Sequence, residues 1–431
     1  MKIAFLGAGS LGFGRRLVSD ILSFPELTDS TIHLMDPNTQ RLDFTHQVVR
    51  RMVSGAGLPT RVEASAERGP ALDGADYVIV SIRTGTSMQP EALDVQVPLD
   101  VAGLRQTVAD TVGVGGIMKG LRTIPAMLDI ARDMERRCPR ALMLNYTNPM
   151  AMIMWAITAA TRIRAVGLCH SVQGTSQQLA GYLGVDYAKL RYRVAGINHL
   201  AWFLDLSLAG EDLYPKLRAC LDKPDIVAKD PVRFEIFRHF GYFVTESSTH
   251  MAEYVPYFLR HPEEIARLKI QTRSAENFAK QDANRQKMME KALQDVEKQP
   301  PKITRSHEYG AQIIHAIETD RPCSINGSVR NDGLITNLWN GCAVEVPCLI
   351  NRAGVQPCHV GDLPPQCAAL CQMNAHIQGL TVRGILEGKR EPLYHAAMLD
   401  PGTMAQLTLP KIRETIDRLL DAQRDLMPPL R

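Results

Sequence analysis

A glycine-rich turn directly after the first apolar segment constrains the fold of this chain most strongly. Residues 1–6 are apolar and of strand length, and the turn that follows has the spacing Gly7-x-Gly9-x-x-Gly12. A stretch compatible with a helix, Phe13–Leu22, comes next. A strand, a glycine turn and a helix in this order are typical of a dinucleotide-binding α/β fold. The sequence therefore predicts that the chain opens with this fold.

Each glycine of the turn has a separate steric task in such a fold. Gly7 allows the tight turn from strand to helix, Gly9 lets the backbone approach a pyrophosphate, and Gly12 permits close packing of the helix on the strand. Ser10 lies within the same turn. We predict that Ser10 and the three glycines contact the cofactor.

An acidic residue indicates which cofactor to expect. Asp36 ends the next apolar run, at the distance where the fold places the carboxylate that binds the ribose. A carboxylate accepts a hydrogen bond from a ribose 2′-hydroxyl and repels a 2′-phosphate. Asp36 therefore favours NAD over NADP.

Length and hydrophobic periodicity predict two closely joined domains. The chain has 431 residues, 45% of them hydrophobic, and this length exceeds that of one average domain. Short apolar strands alternate with helical patterns at 2–6, 31–35, 77–82, 141–145 and 165–169. This alternation predicts an α/β fold with a Rossmann-like, doubly wound parallel sheet in an NAD-binding domain over residues 1–195.

The alternation breaks down after residue 195. We predict that residues 196–431 form an α+β domain, used for substrate binding and oligomerisation, that closes over the first domain. Strands are expected at 201–208 and 344–350. The Lys-, Glu-, Gln- and Ala-rich residues 269–299 predict a long exposed helix, and residues 410–426 predict an amphipathic one.

Composition argues against several classes of partner and location. The formal charge of +3 comes from 49 basic and 46 acidic side chains spread along the chain, which leaves no basic stripe for nucleic acid. No apolar run reaches the roughly 20 residues that cross a bilayer, and no signal-peptide pattern is present. We expect a cytoplasmic protein without nucleic-acid or membrane partners.

The cysteines give no structural zinc motif. None of the nine forms a C-x-x-C pair. Cys367 and Cys371, with His376 nearby, could gather metal ligands at helical spacing, but their apolar neighbours favour buried thiols.

Two other residues form a more specific candidate metal site. Cys169 and His199 follow the ends of two predicted strands, and ligands bind at strand ends in sheets of this kind. A thiolate and an imidazole are good ligands for a divalent transition metal that keeps open positions for substrate. Taken singly, Cys169 could be a buried thiol and His199 a hydrogen-bonded core histidine. The metal hypothesis depends on their occurring together.

Motifs along nearly the whole chain resemble those of a known family. They lie at 1–14, 110–118, 144–150, 167–174, 196–199, 241–248 and 329–334. In order and content they are similar to glycoside hydrolase family 4, the NAD- and metal-dependent glycosidases that do not use a pair of carboxylates. Residues 169–172, Cys-His-Ser-Val, resemble the variant found in enzymes of unphosphorylated α-glycosides.

The resemblance implies a reaction and a set of partners. NAD⁺ takes hydride from C3 of the sugar, a base removes the C2 proton, the glycosidic oxygen leaves, water adds, and the hydride returns. The expected substrates are terminal α-galactosides of the melibiose or raffinose type, cleaved with retention. An α-glucosidase, an α-galacturonidase and a net NAD-dependent sugar dehydrogenase remain alternatives. Family members are commonly homodimers or homotetramers, and we expect a homo-oligomer here.

The resemblance also implies roles in binding. Cys169 and His199 would hold Mn²⁺ or another divalent cation, which stabilises the enolate as a Lewis acid. Asn148 would contact the substrate hydroxyls near the cofactor. Arg83 would approach NAD or the substrate, and its alternative interpretation is an ordinary surface ion pair.

The acid and base roles are less sharply defined by the resemblance. Assistance to the leaving group, direct or through water, is divided between Asp110 and His170, and Asp110 could instead cap the helix that begins near Gly116. The C2 base is expected to be Tyr254, although this residue could simply pack in the core. Glu246 and Tyr257 are held in reserve for that role.

Overall fold

A computed structural model describes residues 1–10, 12–298 and 301–431. Over these residues the chain forms twelve strands, β1 to β12 in chain order. Their bounds are Lys2–Leu6, Thr31–Met35, Arg61–Ser65, Tyr77–Val80, Leu142–Asn145, Arg164–Gly167, Leu190–Ile197, Leu200–Leu208, Glu211–Asp212, Cys323–Arg330, Ala343–Asn351 and Gly354–Pro357.

The same residues form eighteen α-helices, α1 to α18 in chain order. Their bounds are Phe13–Leu22, Thr39–Gly55, Arg68–Leu72, Gln89–Ala102, Gly113–Arg137, Met150–Ala160, Ser171–Leu183, Tyr214–Arg218, Pro224–Val227, Pro231–Phe240, Ser248–Met251, Pro262–Arg267, Ala275–Lys298, Tyr309–Thr319, Pro365–Glu387, Glu391–Leu399, Pro401–Gln406 and Leu409–Ala422.

The first half of the chain folds as predicted. Six parallel strands lie in the order β3-β2-β1-β4-β5-β6, which is the doubly wound order of dinucleotide-binding folds. The α/β expectation is therefore confirmed. The edge strand β3 was not predicted, because its sequence, Arg-Val-Glu-Ala-Ser, is polar and largely solvent-facing. The strands predicted at 77–82, 141–145 and 165–169 are each slightly shorter in the structure.

The second half of the chain extends this sheet. Next to β6 come β10, β11, β7, β8 and β9, which are antiparallel to their neighbours, and β12 pairs with β11. The strands expected at 201–208 and 344–350 are found as β8 and β11. The predicted division between residues 195 and 196 falls inside β7 and stays a prediction.

The predicted helices are also found, with one qualification. Helix α13 occupies 275–298 of the stretch expected to be helical, and Gln299 lies outside the described residues. One side of this helix packs against the protein, because Phe278 is buried against Val95 and Ala109. Helix α18 and the short 3₁₀ turn Arg424–Leu426 match the amphipathic helix predicted at the end of the chain.

Two expectations about composition can be compared with the structure. Cys367 and Cys371 are fully buried on α15, as expected of structural thiols. Among the described residues, no helix has both the length and the apolar character needed to cross a bilayer.

A buried ion pair between α4 and α5 is hydrogen-bonded to the end of the chain. Arg122 on α5 donates to both carboxylate oxygens of Asp94 on α4, at 2.9 and 2.5 Å, and also to Gln423 near the end of the chain, at 2.5 Å. The side chains of Arg122 and Asp94 are 1% and 0% exposed. Such a pair is costly to break, because the partner that remains is a buried charge without a counter-ion.

We expect Arg122→Met to lower the free energy of unfolding by about 3–5 kcal/mol, because it leaves the Asp94 carboxylate buried and unpaired. Urea unfolding followed by circular dichroism measures this change. Arg132→Met is the matched control, since Arg132 pairs with Asp129 on the exposed face of the same helix and should lose no more than about 1 kcal/mol. Equal losses in the two variants would contradict the prediction.

Candidate functional site

Three side chains from separate segments form a compact group of metal-binding atoms. The Cys169 Sγ lies 3.3 Å from the Nε2 of His199, and the same Nε2 lies 3.4 Å from a carboxylate oxygen of Glu246. One ligand atom from each residue lies within 4.8 Å of the other two. Among the described residues this is the one group of three or more such side chains that could hold a metal ion.

The sheet explains how two of these residues meet. Gly167, the last residue of β6, pairs with Ser328 on β10, and Glu345 on β11 pairs with Gly196, the penultimate residue of β7. Ser328 also pairs with Glu345, so the four residues form one row across the sheet. Cys169 follows Gly167 by two residues, and His199 follows Gly196 by three. Both ligands therefore lie within three residues of this row.

The backbone around the ligands is under local constraint. His199 lies in the two-residue turn between β7 and β8 with φ +66°, and Glu246 has φ +74°. Non-glycine residues rarely adopt this left-handed conformation, and strained residues of this kind cluster at active sites.

Glu246 was considered in the sequence only as a reserve base. The structure places it in the ligand group instead, and its carboxylate also lies 3.5 Å from the Nδ1 of His250. Burial alone would raise the pKa of Glu246, but His199 and His250 hold it well below its usual range. An ionised carboxylate is the form that binds a divalent cation.

The charges around His199 favour the protonated imidazole. Burial lowers its pKa, but Glu246 and Cys169 outweigh this effect and raise the pKa to about 10. A metal-ligating imidazole is neutral, so metal binding at this site releases a proton.

Several buried polar atoms around the group have no hydrogen-bond partner in the part of the chain that the structure describes. They are the Nδ1 of His199, one oxygen of Asp110 and one oxygen of Glu345. Glu345 is bonded through its other oxygen to Asn198, at 3.2 Å, and burial raises its pKa to about 7. Unsatisfied buried groups of this kind are expected where a ligand completes the site. A soft thiolate, an imidazole and a carboxylate suit a divalent transition metal.

Asp110 lies beside the ligand group, as the resemblance implied. One carboxylate oxygen is 3.2 Å from the Nζ of Lys119, and the other is 3.6 Å from the Nε2 of His250. Burial raises the pKa of Asp110, but Lys119, His250 and His199 outweigh it and hold the pKa at about 2. Its alternative role as a helix cap is not supported, because α5 begins at Gly113 with Val112 as the capping residue.

Tyr254 lies next to His250 and contacts Thr111, the residue after Asp110. Its hydroxyl donates to the Oγ1 of Thr111, at 3.0 Å, and that oxygen is 2.9 Å from the Nε2 of His250. The Tyr254 side chain is 1% exposed, and burial raises its pKa well above 10. Deprotonation of the phenol therefore requires a positive charge nearby.

His250 is the central residue that sequence reasoning missed. Its ring lies 4.7 Å from that of His199 and 5.5 Å from that of Tyr254, centroid to centroid. The only sequence signal was its position in the segment that follows residue 245, between Glu246 and Tyr254. No spacing rule marks a residue whose importance arises from contacts across more than 100 positions.

The structure does not bring two of the candidate residues into this group. The His170 side chain is 75% exposed, and its Nδ1 lies 3.8 Å from a carboxylate oxygen of Glu308. Tyr257 is 46% exposed and lines a separate surface cavity of about 450 Å³ with Phe240 and Phe258.

The glycine turn adopts the geometry expected of a dinucleotide site, with one exception. Gly7 has φ +87°, and a Cβ there would lie 2.2 Å from the carbonyl oxygen of Ser81. The N–H of Gly9 donates to Asp36, at 2.8 Å, which places the carboxylate against the turn. The close packing expected of Gly12 is not found, because a Cβ there would meet nothing within 4 Å. Gly12 lies exposed at the start of α1 and leaves open space beside Ser10 and the helix N-terminus.

Arg83 and Asn148 follow the neighbouring strands β4 and β5. The turns that carry them are tied together by a hydrogen bond from the Ile82 N–H to the Thr147 hydroxyl, at 3.0 Å. Both terminal nitrogens of Arg83 are buried without a hydrogen-bond partner in the described residues, and Glu91 is 3.9 Å away. Asn148 is half-buried. Arg83 is therefore not the ordinary surface ion pair that was its alternative interpretation.

Comparison with known proteins places this site in a family. The sequence model described as "Family 4 glycosyl hydrolase" matches residues 2–185, and that of the "Family 4 glycosyl hydrolase C-terminal domain" matches residues 194–403. The chain belongs to glycosyl hydrolase family 4. The resemblance inferred from the sequence motifs is thus confirmed.

Relatives within family 4 match this chain over its whole length. An alpha-galactosidase of Bacillus subtilis is 41% identical over 433 residues, covering 99% of each protein. An alpha-galactosidase of Rhizobium meliloti is 34% identical over 445 residues, covering 99% of this chain and 89% of that protein. The 6-phospho-beta glucosidase of Thermotoga maritima, solved with manganese, NAD⁺ and glucose-6-phosphate, is 21% identical with a TM-score of 0.82 over 100% of each chain. This last likeness shows the fold.

We expect Cys169→Ser to weaken Mn²⁺ binding by more than about 100-fold, since a serine hydroxyl stays protonated and replaces a thiolate ligand. Electron paramagnetic resonance of free Mn²⁺ during titration of the protein measures the affinity. Cys358→Ser is the control, because Cys358 is an exposed thiol outside the ligand group. Unchanged Mn²⁺ affinity in Cys169→Ser would show that the metal binds elsewhere.

Proposed function

We propose that this family 4 protein is an NAD- and Mn²⁺-dependent α-galactosidase that acts on terminal α-galactosides of the melibiose or raffinose type. The observation that carries the proposal is the Cys169, His199 and Glu246 ligand group at the same sheet edge as the dinucleotide turn. The two alpha-galactosidases that are 41% and 34% identical over the full chain support the choice of sugar.

The residues of the chain fit both cofactors. Gly7, Gly9, Ser10, Gly12 and Asp36 would hold NAD at the ends of β1 and β2, and the ligand group would hold Mn²⁺. When bound, NAD⁺ supplies a reversible hydride acceptor and Mn²⁺ supplies Lewis acidity toward the sugar oxygens. Asn148 and Arg83, on the turns between these two sites, would contact the sugar and the cofactor.

We assign assistance to the leaving glycosidic oxygen to Asp110. Its pKa of about 2 keeps the carboxylate ionised at neutral pH, so it does not deliver a proton of its own. The groups that can do so are the two nitrogen donors beside it, Lys119 and His250. In this proposal Asp110 holds one of them toward the leaving oxygen. His170, exposed and turned to Glu308, is not assigned this role.

We assign removal of the C2 proton to Tyr254. The phenol is protonated in its buried setting, and the adjacent ligand group is the place where a positive charge would be held to favour the phenolate. Its hydrogen bond to Thr111 fixes the direction of the hydroxyl.

A second substrate class follows from one observation. The two buried guanidinium nitrogens of Arg83, which have no hydrogen-bond partner among the described residues, could bind a sugar carboxylate, as an α-galacturonidase requires. An alpha-galacturonidase of Bacillus subtilis is 33% identical over 394 residues, covering 84% of each protein.

The homodimer or homotetramer and the cytoplasmic location stay predictions.

We expect release of p-nitrophenol from p-nitrophenyl α-galactoside to disappear when nucleotide and metal are stripped, and to return only when NAD⁺ and Mn²⁺ are both restored. Absorbance at about 340 nm should not rise, because a closed redox cycle reforms NAD⁺ in every turnover. Accumulation of NADH with free galactose would instead establish a net sugar dehydrogenase. Faster release from the α-galacturonide would favour the second substrate class.

We expect Tyr254→Phe to abolish exchange of the C2 proton with deuterium from D₂O during turnover, because it removes the oxygen that takes the proton. Nuclear magnetic resonance of the released galactose measures the incorporation. Tyr257→Phe is the matched control, since this exposed tyrosine lies in a separate cavity. Loss of exchange in the control and not in Tyr254→Phe would transfer the role to Tyr257.

A further inference from the structure

A buried carboxylate holds the backbone that leads to Asp110. One oxygen of Glu253 accepts hydrogen bonds from the backbone N–H groups of Thr107, Val108 and Ala109, the last two at 2.7 and 3.0 Å. The second oxygen lies 3.2 Å from the N–H of Ala109. Three consecutive backbone donors that converge on one carboxylate form an anion-binding nest, occupied here by a side chain of the same protein.

This contact fixes a backbone conformation that is unfavourable by itself. Ala109 has φ +57°, in the left-handed region that residues with a Cβ avoid. The residue after it is Asp110, and Thr111 follows. Release of the three N–H groups from Glu253 would let Ala109 return to an ordinary φ, which would turn the Asp110 side chain away from Lys119 and His250.

Residues 250–254, which include Glu253, also supply the partners of Asp110 and Thr111. His250 contacts Thr111 and Asp110, and Tyr254 donates to Thr111. Glu253 lies between His250 and Tyr254 in sequence, and its second oxygen is 4.0 Å from the Nε2 of His250. Residues 107–111 are thus clamped to residues 250–254 by both backbone and side-chain bonds.

Glu253 itself is only 5% exposed, and its carboxylate lies against the backbone N–H groups of residues 107–109. Burial raises the pKa of Glu253, while His250 and the three N–H groups act in the opposite direction. Its carboxyl is fully used by the protein, so its effect on the reaction must pass through the segment that it holds.

We propose that Glu253 is a positioning residue, which acts by holding the left-handed turn at Ala109 so that Asp110 faces Lys119 and His250. This inference rests on the proposed function, because it requires that Asp110 serve the hydrolysis of an α-galactoside.

The test compares variants by kcat and KM for melibiose, measured as galactose released by the NAD- and Mn²⁺-loaded full-length enzyme. Glu253→Met removes the acceptor at similar volume, Glu253→Asp withdraws it by one methylene, and Glu253→Gln keeps one oxygen in place. We expect the Met and Asp variants to lose about 10- to 100-fold in kcat, as outer-sphere partners of active sites do. We expect the Gln variant to retain most of the wild-type kcat, with KM and Mn²⁺ affinity unchanged throughout.

A double-mutant comparison with Asp110 distinguishes a positioning role of Glu253 from a general loss of structure. Asp110→Asn combined with Glu253→Asp should lose no more kcat than Asp110→Asn alone, because both changes disable the same group. The matched control is Asp20→Asn, since Asp20 is a buried carboxylate on α1 that accepts the backbone N–H of Ser306, at 2.5 Å, and lies outside residues 107–111 and 250–254. Its effect should multiply with that of Asp110→Asn.

The possible failures are distinct. Losses that multiply for Asp110 and Glu253, a full loss in Glu253→Gln, or wild-type kcat in Glu253→Asp would each overturn the positioning role. If Glu253→Met does not fold, the Asp and Gln variants still decide between these results. A wild-type enzyme without activity on melibiose and on p-nitrophenyl α-galactoside would overturn the proposed function instead.

Discussion

The candidate site depends on one row of hydrogen-bonded residues that joins the two halves of the sheet. The parallel strands alone would leave Cys169 at an open edge beyond β6. Two antiparallel strands, β10 and β11, bridge that edge to β7, so that the end of β7, three residues before His199, lies in one row with the end of β6. Glycine is needed at both ends of this row, because a Cβ on Gly196 would lie 2.5 Å from the carbonyl oxygen of Leu200 and one on Gly167 would lie 2.5 Å from the sulfur of Met150. The fold therefore creates the ligand pair by its topology before any ligand is bound.

The charges around the ligand group nearly compensate one another. Three buried or half-buried carboxylates, Asp110, Glu246 and Glu253, surround His250, and Lys119 and His199 supply the remaining positive charge when His199 is protonated. A divalent cation held by Cys169, His199 and Glu246 would place two positive charges next to these carboxylates. Coulomb interactions at such distances are strong in a poorly hydrated interior. The added charge then acts on the nearby groups that ionise to anions, Tyr254 among them, and lowers the cost of the phenolate.

The sequence predicted those features whose signal comes from residues close together in the chain. The glycine turn, Asp36 and the strands of the parallel sheet were found because the fold imposes a fixed spacing on neighbouring residues. Cys169 and His199 were found through strand ends and through family motifs. The strand β3 was missed because an exposed edge strand has no continuous apolar run. The packing role of Gly12 was misjudged because this residue lies exposed at the start of α1, with nothing within 4 Å of its Cβ position.

The contacts of His250 and Glu253 could not be predicted from the sequence by any local rule. Glu253 and the backbone that it holds are separated by 144 to 146 positions. A buried glutamate in an apolar segment carries the same sequence signal whether it caps a helix, pairs with an arginine or clamps a loop. Only the folded chain distinguishes these cases. The Glu253 carboxylate meets the N–H groups of residues 107–109, which point the same way where Ala109 adopts a left-handed φ.

Backbone strain links these observations. Ala109, His199 and Glu246 are non-glycine residues with left-handed φ, and each lies in or next to a segment that supplies the site. Such a conformation costs on the order of 1 kcal/mol or more and persists only where surrounding contacts over-determine it. At Ala109 these contacts are the bonds to Glu253, and at His199 the conformation is imposed by the two-residue turn between paired strands. At these two positions the surrounding contacts hold the backbone in a conformation that is unfavourable by itself, and they thereby fix the direction of the neighbouring site residues.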